Sequence, residues 1–281
     1  MLDLKIPHPE RILYPDLGIS RGEVVAYYAA VADYILDQAR GRALTVKRWP
    51  HGLAGPMFYQ KHPEPGQLIT LSDVRDILRW VGRGVLEWHA PLGMTSNPFL
   101  HDWAILDLDP NPPAGWPQVV AVAEVVKQLF DYLGVTFRLK TSGQRGLHFY
   151  IPIQWLHHDV VKEIMSRWAQ VVVHAIPELA TIARLKRDRG SRVYLDYLQN
   201  THSRTTVMAY SLRATAAATV STPILWEEVS HPPRVWTMER VLRHVTRYGD
   251  LFFYRGIRLD LSEIARRNGF DLKGSGVGGN N

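Results

Sequence analysis

The residues best suited to chemistry lie in Trp103-Ala-Ile-Leu-Asp107-Leu-Asp109-Pro110. Successive side chains of a strand alternate faces, so Asp107 and Asp109 project together while Leu106 and Leu108 face the other way. Two carboxylates held about 6–7 Å apart on a stiff strand repel each other unless a cation lies between them. The hard divalent ions that favour oxygen ligands are Mg2+ and Mn2+. Pro110 ends the strand and leaves the pair at its exposed end; the competing reading is an Asp/Asp turn at a strand exit. A third carboxylate, Asp196 in Arg192-Val-Tyr-Leu-Asp196-Tyr-Leu, sits among apolar strand formers, where an unpaired charge is expensive. Either a shared metal or a salt bridge to a flanking arginine would compensate it. Three carboxylates are what two-metal nucleotidyl transfer needs, with ions roughly 3.5–4 Å apart.

Arg138-Leu-Lys140-Thr-Ser142-Gly-Gln-Arg145-Gly-Leu-His148-Phe-Tyr150 reads as two strands around a glycine-bounded turn. Its hydroxyl, cations and backbone N–H groups suit a phosphate cradle, though such turns are often only structural. It is not a P-loop, because GxxxxGK[ST] is missing. Lys47-Arg48-Trp49 and Met57-Phe58-Tyr59-Gln60-Lys61-His62 combine cations with aromatics. Phe58 and Tyr59 read either as core or as one core ring and one ring free to stack on a base. The chain has 12 His, but no HExxH, and His157-His158 lacks partners at ligand spacing, so the sequence does not read as a zinc enzyme. A G-x-S-x-G elbow is absent too.

These residues need a mixed scaffold. Ser20-Arg-Gly-Glu23 is a capping box opening a helix to about Gln38. Pro117 suits the first turn of a helix ending before Gly134; Asp159 caps one running to about Ile176, stopped by Pro177. Thr237 and Asp260 cap two shorter ones, the latter with Glu263 completing a box. Strands are expected at 43–47, 84–89, 103–108, 135–141, 147–153, 192–198 and 205–211, giving an α+β or α/β domain on a mostly antiparallel sheet. Residues 1–272 read as a single domain, about 1–90 forming an N-terminal subdomain and about 91–272 the catalytic core; 273–281 read as a flexible Gly-rich tail.

Zero Cys excludes a disulfide framework, thiolate metal ligation and a Cys nucleophile. The charged, proline-containing N-terminus is no signal peptide, and the longest near-apolar run, Val119–Val126, is too short for a bilayer and broken by Glu124, so no membrane partner and a cytoplasmic location are expected. Lys+Arg 33 against Asp+Glu 27 leaves a net charge of +6, which suits a polyanionic partner without requiring one.

Taken together, the segments resemble the polymerase domain of bacterial ligase D, a branch of the archaeo-eukaryotic primase superfamily. The resemblance runs in order through Arg11-Ile-Leu-Tyr-Pro15, Gly41 to Arg48, Phe58-Tyr-Gln-Lys61, Glu87-Trp-His89, Leu106 to Pro110 and Lys140 to His148. It closes with Asp196-Tyr-Leu-Gln-Asn200, Ala209 to Arg213 and Val220 to Trp226. It implies a primase-polymerase fold, with an RRM-like catalytic sheet packed against a smaller N-terminal α/β subdomain. It makes Asp107, Asp109 and Asp196 the catalytic, metal-binding triad for two Mg2+ or Mn2+ ions. Ser142, Arg145 and His148 would hold the triphosphate, with Lys47, His89, Gln199 and Arg213 around the nucleotide. Phe58 and Tyr59 would form a platform under the template base, and Arg11 and Arg21 would grip a DNA 5′-phosphate. His8 stands where Asn is common, Tyr59 replaces a frequent second Phe, and Arg145 often appears as Lys.

The implied activity is template-dependent extension of a primer 3′-hydroxyl with NTPs or dNTPs, ribonucleotides preferred. Its setting is gaps or broken ends in non-homologous end joining, with Ku and a DNA ligase as partners and a nucleoid-associated location. The alternatives are a primase that starts chains without a primer and a non-catalytic DNA-end-bridging module. A ligase Lys-x-Asp-Gly segment and a phosphoesterase module are missing from the sequence, so a stand-alone polymerase or an excised domain is expected.

Overall fold

The computed structural model describes residues 5–270; the proposed glycine-rich tail lies outside them. The chain opens with a hairpin of β1 (Ile12–Tyr14) and β2 (Ile19–Ser20), then α1 (Arg21–Ala30) and α2 (Ala32–Ala39). Next come β3 (Thr45–Arg48), β4 (Phe58–Gln60), α3 (Val74–Gly82), β5 (Val85–Ala90), β6 (Leu100–Pro110) and α4 (Trp116–Leu133). The remainder is β7 (Arg138–Thr141), β8 (Leu147–His157), α5 (His158–Ala175), β9 (Ala180–Thr181), β10 (Val193–Asp196), β11 (Thr206–Val207), β12 (Pro223–Ile224), α6 (Met238–Tyr248) and α7 (Leu261–Arg267).

Two sheets carry the architecture. The larger has the order β12-β7-β8-β6-β10-β9, the smaller β11-β5-β3-β4, and only β9 and β10 pair parallel within them. Helices α4 and α5 both pack on β6, whose Leu106 and Leu108 are buried. The alternation along β6 is the one its sequence demands: Leu106 and Leu108 face the core, and Asp107 and Asp109 are partly open. The mixed α+β class read from the sequence is the class observed.

Capping explains most helix starts. Ser20 accepts the Glu23 N–H while Glu23 reaches back to the Ser20 N–H, as the box predicts. The single helix expected to Gln38 is divided at Val31, although buried positions continue at helical spacing from Val24 to Ala39. Thr237 and Asp260 cap as expected, but the Glu263 carboxylate pairs with Arg266. Helix α5 starts earlier than expected: His157, not Asp159, accepts the capping N–H. Helix α3, capped by Asp73, was not anticipated; its apolar positions Ile77, Leu78 and Val81 pack toward α1.

The strand expected over 135–141 begins only at Arg138, and two further strands are shortened in ways that serve the site. Strand β10 stops at Asp196 because that carboxylate accepts the Leu198 N–H and turns the chain into a 3-10 turn, Tyr197–Asn200. Asn200, fully buried, then substitutes for the missing ladder: its amide accepts from the Ile105 N–H at 2.9 Å and donates to the Ile105 carbonyl at 2.8 Å. The strand expected over 205–211 pairs only at Thr206–Val207. Tyr210 then takes a left-handed conformation (φ 64°), and residues 210–213 fold back onto 219–221 through three backbone hydrogen bonds. That fold-back carries Arg213 to the large sheet.

Asn200→Ala leaves a buried N–H and C=O of β6 unpaired, so it should lower stability by about 2–4 kcal/mol. Urea unfolding of the two proteins measures this, and an unchanged midpoint would refute the clamp.

Candidate active site

Register assembles the site. Asp107 lies opposite Asp196 on β10 and opposite His148 on β8, and His148 lies opposite Lys140 on β7. Directly opposed residues share a face, so Lys140, His148, Asp107 and Asp196 form one row across four strands. Asp109 lies two residues along β6, opposite Tyr194. His148 Nε2 is 3.3 Å from Asp107 Oδ1, and Lys140 Nζ donates to Ser221 Oγ at 2.7 Å.

The row is electrostatically strained. Burial, with Asp196 and Asp109 alongside, pushes the Asp107 carboxyl well above the usual range, and burial raises Asp196 too. Burial, together with Arg213, holds Lys140 well below its ordinary value, and burial with Lys140 and Arg213 does the same to His148. Asp196 is nonetheless well oriented: it accepts from Tyr194 at 3.2 Å, from the Leu198 N–H and from Gln199 at 3.1 Å.

The turn between β7 and β8 borders the acids. Gly143 (φ +72°) packs so close to Arg213 that a Cβ would lie 2.6 Å from Arg213 Cγ. A Cβ on Gly146 would lie 2.5 Å from the Leu108 carbonyl oxygen, so glycine lets this turn reach β6. The Gln144 and Gly146 N–H groups both donate to Ser142 Oγ. The hydroxyl therefore organises the turn, and those two amides are already engaged. Arg145 reaches toward Asp109, 3.6 Å away, and Arg213 donates to the Ser142 carbonyl at 2.8 Å.

A cleft of about 240 Å³ brings together His89, Asp107, Asp109, Ser142, Arg145, His148, Gln199 and Arg213. Two buried polar atoms among its residues, His148 Nδ1 and Gln199 Oε1, have no hydrogen-bond partner among the described residues. Asp196 borders an adjacent hollow of about 420 Å³ that also presents Arg184, Arg189 and Arg204. A larger hollow, about 780 Å³, opens beside Arg42, Trp103 and Phe252, and none of the three acids lines it.

Lys47 does not line the cleft directly. It pairs with Glu87 at 3.1 Å, and Glu87 also contacts His89 at 3.0 Å and Arg213 at 3.3 Å. Burial opposes ionisation of Glu87, but the hydrogen bond from His89 and the charges of Arg213 and Lys47 outweigh it and hold the carboxyl well below its usual range. Burial lowers the His89 imidazole. Glu87 is the functional residue that the sequence reading quoted without assigning. A lone carboxylate inside Val85-Leu86-Glu87-Trp88 carries the same signal as Asp196, an expensive charge in an apolar strand.

Phe58 and Tyr59 are not core: they are 49% and 54% exposed on edge strand β4, and Tyr59 lies opposite Lys47. Arg11 and Arg21 converge on the Pro50 carbonyl. Arg21 is buried, donates also to the Pro7 carbonyl, and leaves Arg11 as the more open of the two.

Raised carboxyl pKa values favour the folded state only in acid. The contribution of Asp107 and Asp196 is fully present below the ordinary carboxylate value and is lost as pH rises through their raised values. Glu87 acts oppositely: its contribution is present above its ordinary value and is lost as pH falls toward its lowered one. At pH 8 without divalent ions, Asp107→Asn should therefore stabilise the protein by about 1–2 kcal/mol, or roughly 2–6 °C in Tm. Mg2+ should raise the Tm of the parent and not of the variant. Differential scanning fluorimetry checks both, and a less stable variant would contradict the electrostatic reading.

Comparison with known proteins gives the same placement. The model of the LigD primase-polymerase domain matches residues 20–68 and 63–252. The multifunctional non-homologous end joining protein LigD of Pseudomonas aeruginosa is 30% identical over 244 residues, 80% of this chain and 29% of that protein. Its Mycolicibacterium smegmatis counterpart is 30% identical over 271 residues, 88% of this chain and 35% of that protein. The chain thus spans about a third of the length of the curated relatives it matches. Among solved structures, the polymerase domain of Mycobacterium tuberculosis ligase D in complex with DNA matches with a TM-score of 0.82 and 28% identity, covering 89% of this chain and 97% of that one. With fold and sequence in agreement, the chain belongs to the LigD primase-polymerase domain family, and with it to the DNA-directed nucleotidyltransferases.

Proposed function

We propose that this chain extends a primer 3′-hydroxyl on a DNA template with nucleoside triphosphates, ribonucleotides preferred, at gaps or broken ends during end joining. The observation that carries the reading is the row Lys140–His148–Asp107–Asp196, with Asp109 two residues along. The residues fit a pair of Mg2+ or Mn2+ ions: three oxygen donors sit on adjacent strands, and two of them are hard to ionise without a cation. Asp107, Asp109 and Asp196 would hold these ions, which when bound supply positive charge at the hydroxyl and the triphosphate.

The remaining roles belong to side chains. Arg145 and Arg213 neutralise the triphosphate, and His148 and Gln199 line the same cleft. Ser142 shapes the turn that presents Arg145. Lys47 and His89 reach the nucleotide from the Glu87 cluster. Arg184, Arg189 and Arg204, beside Asp196, suit the primer backbone. Phe58 and Tyr59 offer exposed rings for a template base, and Arg11, braced by Arg21, suits a 5′-phosphate. Ku and a DNA ligase are the proposed partners, on nucleoid DNA in the cytoplasm, by analogy with the end-joining relatives.

The test is primer extension on a short gapped duplex with a downstream 5′-phosphate, offering NTPs and dNTPs separately. Template-directed addition should be faster with NTPs and fall by at least about 10³-fold in Asp107→Ala and Asp196→Ala. Tight DNA binding without addition would point to an end-bridging module, and synthesis on an unprimed strand to a primase. Tyr59→Ala should weaken primer-template binding by about 1–3 kcal/mol while leaving the unfolding midpoint unchanged, since the ring is exposed. Fluorescence anisotropy of labelled DNA measures it.

A further inference from the structure

At the opposite end of β6 and β8 from the acids, four imidazoles and a carboxylate gather from three parts of the chain. Strand β8 ends in His157, and α5 begins with His158 and Asp159. Their ligand atoms, one from each, lie within 4.8 Å of one another. His202, on the loop that follows the Tyr197–Asn200 turn, brings its ring centroid to 4.8 Å from that of His158. His101, on β6, lies 5.9 Å from His158 on the same measure. Phe99 covers the group, 4.9 Å from His202 and 6.3 Å from His157.

Two features set this apart from a solvated histidine patch. His101 is completely buried, and neither of its ring nitrogens has a hydrogen-bond partner among the described residues. His158 is 6% exposed, and its Nδ1 makes no hydrogen bond, its nearest acidic oxygen being Asp159 Oδ1 at 3.5 Å. Burying an imidazole with idle nitrogens costs free energy that a ligand would offset. Asp159 is the one carboxylate in the group; its Oδ1 is engaged by Lys162 at 2.6 Å, while Oδ2 lies 3.8 Å from His157 Nδ1.

We infer that His157, His158, Asp159 and His202 form a second metal site, for a nitrogen-preferring divalent ion such as Zn2+. Three imidazoles and one carboxylate are a tetrahedral donor set for zinc, at bond lengths of about 2.0–2.2 Å. Mg2+, which prefers oxygen, would favour the acid row instead. Closing the ligands onto an ion requires side-chain rotation only at exposed positions, since His157, Asp159 and His202 are all exposed. His101 packs behind His158, ring centroids 5.9 Å apart, and backs it from the buried side. The site lies roughly 20 Å along β6 from Asp107, at about 3.3 Å per residue, so it takes no part in nucleotidyl transfer. Its consequence is structural: it ties the loop at 201–205 to the start of α5. That loop continues from Gln199 and Asn200, which support Asp196 and β6, to β11 beside the cleft.

The experiment uses the whole chain carrying Asp107→Asn and Asp109→Asn, so that the acid row cannot compete. Isothermal titration with Zn2+ should give one equivalent, and Co2+ should give the intense visible bands of a tetrahedral complex. His157→Asn, which preserves the helix cap, and His202→Asn, at an exposed position, should each weaken Zn2+ binding about ten-fold or more. Circular dichroism of both variants checks that they fold. Absence of Zn2+ binding in the folded parent, or equal affinity in the folded histidine variants, would overturn the site.

Discussion

The structure depends on a cross-strand row of ionisable groups that cannot all carry their charges in a buried sheet. Lys140, His148, Asp107 and Asp196 occupy adjacent strands at one register, and burial alone disfavours the charged form of each. A one-residue slip of β6 would turn Asp107 and Asp109 into the hydrophobic core and Leu108 into the cleft. The packing of α4 and α5 on the leucine face therefore holds the acids in place as firmly as any bond they make. Stability and site geometry rest on the same alternation.

Glu87 does for the smaller sheet what the acid row does for the larger. It sits on β5 opposite Lys47, while Tyr59 lies opposite Lys47 on the other side, so stacking surface, cation and carboxylate run across three strands. The same carboxylate accepts the Ala214 N–H and pairs with Arg213. Arg213 in turn grips the Ser142 carbonyl on the large sheet. The exposed rings of β4 are thereby linked to the turn between β7 and β8 through charged contacts.

Much of this was legible beforehand. The Asp107/Asp109 spacing, the misplaced charge of Asp196 and the glycines around Ser142 each have a local physical cause, and the order of the segments along the chain pointed to the family. Less was legible where long-range pairing overrides local preference. The segment 205–211 has strand-forming residues, yet Tyr210 turns out of the ladder to pair the following chain with 219–221. Arg21 looks like a surface cation and is buried against two carbonyls. His157 and His158 lacked ligand partners in sequence because His202 is 44 residues on from His158 and meets it only through the turn after β10.

By itself, the sequence determined the alternation of β6, the capping of α1, α6 and α7, the three acids and the family, because these rest on neighbours within a few residues or on segment order. Tertiary structure alone decided which residues stand opposite Asp107, how Arg213 reaches Ser142, and which histidines meet. Those depend on strand register and fold-back, where contacts far apart in sequence outweigh what any short stretch prefers.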